Sequence, residues 1–107
     1  MENEMNTLSQ VMVLLKNKYS AKDLVFENQK LVSKESNESF NPEDLILEKI
    51  YRFEGDSSPD DSSVLYHLSS KGGINGMLID AFGAYSNPKI AEFIKQVPLR
   101  VSDEQQV

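Results

Sequence analysis

The sequence predicts an α+β domain of two layers: an antiparallel meander sheet of about five strands, with an N-terminal and a C-terminal helix on one face. Three observations predict it. Apolar residues recur at helical spacing only near the two ends of the chain, over Leu8 to Tyr19 and Ile90 to Val97. Between those ends lie five runs rich in β-branched, aromatic and alternating apolar residues. The links between runs look shorter than the dozen or more residues that a parallel crossover needs, so antiparallel pairing follows.

The first helix is predicted over residues 7 to 18. Thr7 with Gln10 three positions on forms a capping-box pattern, in which hydroxyl and amide side chains satisfy free backbone N–H groups. Leu8, Val11, Met12, Leu15 and Tyr19 make one stripe, and Lys16 and Lys18 suit the negative end of the helix dipole. Asp23 to Glu27 and Lys30 to Ser33 flank Asn28-Gln29 and read as a hairpin whose register is open, because the turn contains no Gly. Lys34 to Ser39 reads as a solvated loop, with Phe40 anchoring its end in the core.

Asn41-Pro42-Glu43-Asp44 predicts a single helical turn, with Pro at the first helical position and acids in the first turn. Leu45 to Glu54 is the longest predicted strand. Its odd positions (Leu45, Leu47, Lys49, Tyr51, Phe53) are the more apolar and are expected to face the helices. Gly55 to Ser62 is a loop. Ser63 to Ser69 is a strand with Val64, Tyr66 and Leu68 inward, and Ser70 to Gly76 is a glycine-rich turn. Met77 to Ala84 carries apolar residues on both faces, which suggests a central position or partial cover on the second face. Asn87-Pro88 opens the second helix and Pro98 stops it. The domain organisation is then a flexible stretch over 1–6, one domain over 7–98, and a flexible tail over 99–107. One sheet face is left open, and Ile46, Ile50, Leu65 and Leu78 are candidates to form an apolar patch there, suited to a homodimer or a protein partner.

Composition narrows the function classes. The 107 residues carry 11 Lys plus Arg against 17 Asp plus Glu, a formal charge of -6, which argues against a nucleic-acid surface. With no Cys there is no disulfide, thiolate nucleophile or Cys-ligated zinc. No apolar run approaches the roughly 20 residues that span a bilayer, so a cytoplasmic protein without membrane association is expected. No cofactor is expected beyond a weak divalent cation. Asp56, Asp60 and Asp61 are the candidate oxygen ligands for it, although an EF-hand alignment from Asp56 puts Asp61 where Gly is needed and His67 where Glu is needed. The candidate ligand-binding residues are Arg52, His67, Asp80 and Tyr85. His67 is the sole histidine, Arg52 and Asp80 are candidates for cross-strand pairing, and Tyr51, Tyr66 and Tyr85 offer aromatic bodies with polar tips.

Four segments carry a resemblance: Asn41-Pro42-Glu43-Asp44, Ile50-Tyr51-Arg52-Phe53-Glu54-Gly55, Pro59-Asp60-Asp61-Ser62-Ser63-Val64-Leu65-Tyr66, and Leu78-Ile79-Asp80-Ala81-Phe82-Gly83-Ala84-Tyr85. Over most of residues 7 to 97 the chain resembles a family of small, functionally uncharacterised bacterial proteins of about this length. Members often carry the label phosphoribosylpyrophosphate synthetase, and the resemblance implies a sugar-phosphate or nucleotide-phosphate ligand. The reaction named by that label needs positive charge positioned around phosphates. The segment Met77 to Ala84 has one acid and lacks the hydroxyl residues of a phosphoribosyl loop, and Ser70-Lys71-Gly72-Gly73 lacks the Walker spacing. With no nucleophile–base pair, metal constellation or phosphate loop legible, the sequence points to a non-enzymatic binding or regulatory module, and it names no catalytic residue.

Overall fold

The computed structural model describes residues 7–53, 63–81 and 87–100. In chain order these form α1 (Leu8–Tyr19), β1 (Lys22–Glu27), β2 (Lys30–Ser33), β3 (Ser39–Phe40), a 3-10 turn (Pro42–Asp44), β4 (Leu45–Phe53), β5 (Ser63–Ser70), β6 (Asn75–Ala81) and α2 (Pro88–Gln96). The α+β class and the two terminal helices are as predicted. The sheet has six strands in the order β3-β2-β1-β6-β5-β4.

Two features depart from the predicted meander. Ser39 and Phe40, assigned to the end of a loop, form β3 and pair with Val32 and Leu31. The chain also does not run strand to neighbouring strand throughout: β1 lies beside β6 in parallel, through Lys22↔Gly76 and Asp23↔Met77. The segment from β2 to β5 supplies the long connection that a parallel pair requires. β6 is central, one of the two readings that its two apolar faces allow.

The larger correction concerns the helices, which lie on opposite faces of the sheet. One core gathers Leu24, Leu31, Leu45, Leu47, Leu68 and Leu78 with Ile90, Phe93 and Val97 from α2 and the residue after it. The other gathers Leu65 and Met77 with Val11 and Leu15 from α1, and Tyr51 and Phe53 pack against it. Fully burying each such side chain contributes roughly 1.5–3 kcal/mol. Among the described residues, therefore, each sheet face carries a helix, and neither is left wholly open for the expected patch. Ile46 and Leu65 lie on the α1 side, Ile50 and Leu78 on the α2 side, and both Leu residues are buried.

A β-bulge explains how the odd positions of β4 serve both helices. The register with β5 shifts between Leu47, opposite Leu68, and Lys49, opposite His67, leaving Glu48 as the extra residue. One extra residue reverses the face of everything after it. Leu45 and Leu47 thus face α2, whereas Tyr51 and Phe53 face α1.

Local chemistry sets the element ends. The Thr7–Gln10 capping box forms as predicted. Asn28 and Gln29 both adopt positive φ (51° and 64°), the geometry of a type I′ hairpin turn, and this fixes the β1–β2 register that the sequence left open. The Asn87 side chain accepts from the Lys89 N–H at 2.9 Å, capping α2. After α2, Leu47 N–H donates to Pro98 O at 2.8 Å and Arg100 N–H donates to Leu47 O at 3.0 Å. Leu99 and Arg100, assigned by the sequence to a flexible tail, therefore line the outer edge of β4.

Candidate functional site, a cation-lined trough beside the first helix

At about 1.5 Å rise per residue, α1 is shorter than β5 and covers only part of it. Its buried stripe, Val11 and Leu15, rests on Leu65 and Met77. Beyond the helix C-terminus the same sheet face carries His67, Ser69, Glu48, Lys49 and Asn75, which offer no apolar surface for a helix to cover. The result is an open trough of about 830 Å³, lined by Leu14, Lys18 and Tyr19 of α1, by residues of β4 and β5, and by Lys71, Asn75 and Arg100.

His67 is buried at the trough floor. Its Nε2 lies 2.9 Å from Asn75 Oδ1, and since an amide oxygen only accepts, Nε2 carries the proton. The imidazole meets the Tyr19 ring at a centroid distance of 4.8 Å. This histidine is thus oriented by an amide and an aromatic ring.

Glu48 is the single carboxylate among the described lining residues. Its bulged position aims it along the sheet edge, where Arg100 grips it with Nε to Oε1 at 2.8 Å and a terminal guanidinium nitrogen to Oε2 at 2.6 Å. Ser69 Oγ donates to Oε2 at 2.5 Å. Arg100 holds the Glu48 carboxyl below its ordinary range against the opposing effect of burial, and the Ser69 hydroxyl adds to the lowering.

Three ammonium groups complete the lining. Lys49 Nζ sits 4.9 Å from the Tyr51 ring centroid and Lys18 Nζ 5.6 Å from that of Tyr19, both within cation–π range. Lys71 is placed by its N–H, which donates to Asp44 O at 3.0 Å, and by a turn in which Ser70 Oγ accepts from the Gly72 and Ile74 N–H groups. Among the described residues none of these lysines forms an ion pair. A chain of charge -6 thus concentrates Lys18, Lys49, Lys71 and Arg100 around one carboxylate. Burial, with Tyr19 nearby, pushes the Tyr51 hydroxyl above its ordinary pKa, so it enters the trough as a neutral donor.

The residues singled out from sequence divide between the faces. Arg52 and Asp80 both pair with Val64 across β5, in one row on the α2 side. They are neighbours through a strand, and both bear on Tyr66, whose pKa is raised by burial and Asp80 and lowered by Arg52. Asp80 also has a structural task, since its carboxylate accepts from the Ala81 and Asn87 N–H groups and so ties β6 to the start of α2. The sheet separates this pair from His67. Tyr85, Asp56, Asp60 and Asp61 lie outside the described residues. Of the three tyrosines read as pocket candidates, Tyr51 lines the trough, Tyr66 is on the far face, and Tyr85 is outside the described residues.

Sequence reasoning missed Tyr19, Glu48, Lys49, Lys71, Asn75 and Arg100 as residues of the site. One signal was legible for Glu48: an acid adjoining the apolar half of β4 marks a place where strict alternation is disturbed. Nothing local marks Arg100, which meets Glu48 only through the return of the chain after α2.

The class defined by fold and trough is a small α+β domain with a concave, cation-lined surface beside its first helix. No family model, curated protein or solved structure matches the chain. Among the described residues no helix is long and apolar enough to cross a membrane.

Proposed function

We propose that the protein is a small non-enzymatic binding module whose trough takes a phosphate-bearing small molecule. The observation that carries this reading is the convergence of Lys18, Lys49 and Lys71, without ion-pair partners among the described residues, on a concave surface of an acidic protein. Phosphate oxygens accept charge-assisted hydrogen bonds from ammonium groups, each of which carries three rotatable donors. The aromatic walls Tyr19 and Tyr51 suit the remainder of a sugar-phosphate or nucleotide ligand, the ligand class that the resemblance of the Tyr-Arg-Phe-Glu-Gly and Asp-Ala-Phe-Gly-Ala-Tyr blocks also implies.

Binding rather than turnover is favoured by how the reactive groups are engaged. The Ser69 hydroxyl donates to Glu48, not to His67. Glu48, held ionised by Arg100, is a weak base.

Thermal unfolding of the full chain with ribose 5-phosphate, phosphoribosyl pyrophosphate and ATP with Mg²⁺ tests the reading. A ligand at 100 times its Kd adds about 2.7 kcal/mol. For a domain of this size that raises Tm by roughly 10 °C. At least one of the three is expected to do so, with the shift lost in Lys49→Gln/Lys71→Gln and with no product seen by phosphorus NMR. Flat melting curves with all three would sink the proposal, and product formation would replace it with an enzymatic one.

A further inference from the structure

Resting on the phosphate-binding reading of the trough, the geometry points to Glu48 as the site's own resident anion: its carboxylate occupies the oxyanion position on Arg100 and Ser69, and an entering phosphate takes that position in exchange. Four observations carry this. First, Glu48 is the extra residue of a bulge, free of a cross-strand partner, and such residues are re-aimed side chains. Second, its two oxygens take up a two-pronged guanidinium contact and a hydroxyl donor together, which is the donor set that recognises a phosphate or a carboxylate.

Third, the partners differ in exposure. The Glu48 side chain is 18% exposed and the Arg100 side chain 49%, so of the two the guanidinium is the more accessible from solvent. Fourth, Arg100 rides on a strand-edge segment attached to β4 by two backbone hydrogen bonds at Leu47, which holds its backbone at the rim of the trough whichever anion its guanidinium meets. Lys49 and Lys71 line the same space and supply the charge that makes the exchange favourable for a multiply charged anion. A weakly charged anion gains less from those lysines and does not displace Glu48. The internal carboxylate thereby works as a selectivity filter for phosphate over singly charged ligands.

The test titrates pyrophosphate, without metal, into the full chain and into Glu48→Gln, following heat and NMR. In the wild type the Arg100 Nε–H and Glu48 Cδ resonances are expected to shift saturably, with the same midpoint as the binding heat. Glu48→Gln removes the charged competitor and keeps the side-chain shape. Its affinity for pyrophosphate is expected to rise about five- to tenfold, the order of one partly exposed bidentate contact, and acetate, negligible in the wild type, should become detectable. The wild-type resonances need no substitution and so stand even if the variant folds poorly. Pyrophosphate binding that moves the Lys49 and Lys71 resonances while Arg100 Nε and Glu48 Cδ stay still would overturn the exchange and leave the trough reading intact. Absence of binding to either protein would overturn both.

Discussion

Arg100 and Glu48, 52 positions apart, meet in a two-pronged ion pair that joins the segment after α2 to the bulge of β4. This contact lies where the outer edge of the sheet would otherwise be open. It couples the last described residues to the rim of the trough, so the edge of the fold and the candidate site share one electrostatic element. Its energetics should be visible in solution.

The pH dependence of stability follows from the sign of the Glu48 shift. The Arg100 guanidinium holds its carboxyl below the ordinary carboxylate range in the folded state. The unfolded chain therefore binds more protons in that region, and stability rises with pH there. The contribution is fully present above the unfolded value and is lost as pH falls through the folded one. Melting curves of wild type and Glu48→Gln at about pH 6 and about pH 3 should show the wild type ahead at the higher pH and the gap narrowing at the lower. A gap that is constant with pH would contradict the assignment.

Gly76 is where β1 and β6 approach. A Cβ placed there would stand 2.5 Å from Leu24 Cδ1 and 2.8 Å from Leu24 Cγ. Leu24 thus packs over the bare backbone of the parallel pair. Gly76→Ala should lower stability by about 1–3 kcal/mol through overpacking, read as a drop in urea midpoint. In a Leu24→Ala background the same substitution should cost clearly less, since the obstructing atoms are gone.

The β1–β2 turn holds Gln29 at φ 64°, a region that side chains other than Gly enter at a cost. Gln29→Gly should raise stability by about 1 kcal/mol, the strain relieved exceeding the added freedom of the unfolded chain. Asn28 at φ 51° is already among the residues that tolerate this region, so Asn28→Gly should move the midpoint less.

Ser33 is fully buried on the α2 side, and its hydroxyl oxygen has no hydrogen-bond partner among the described residues. A buried, unsatisfied hydroxyl carries a desolvation cost with no return. Ser33→Ala should leave stability unchanged or raise it by up to about 1 kcal/mol. A clear loss in the urea midpoint would mean that the hydroxyl has a partner in solution.

Much of the fold was legible because its signals are local. The capping box at Thr7, the Asn87-Pro88 start of α2, the single turn at Pro42 and the apolar runs of β4, β5 and β6 each arise from residues within a few positions of one another. Phe40 was read correctly as an anchor although its strand was missed. Two residues of β3 are too few to show a period, and their pairing with β2 depends on a partner seven or more positions back. Both apolar faces of β6 were visible, and they were the one hint that helices lie on each side of the sheet.

By itself the sequence determined the α+β class, the terminal helices and the strands of the central sheet, since these follow from periodicity and caps. Only the tertiary structure decided which face each helix covers, the parallel contact of β1 with β6, and the trough. The face depends on a single bulged residue, Glu48, because a one-residue shift reverses every later side chain and leaves the composition of the strand unchanged. The trough depends on His67, Lys49 and Asn75 being brought together by strand register, and on Arg100 returning from 52 positions away. Such contacts are set by long-range packing, which no local pattern of residues encodes.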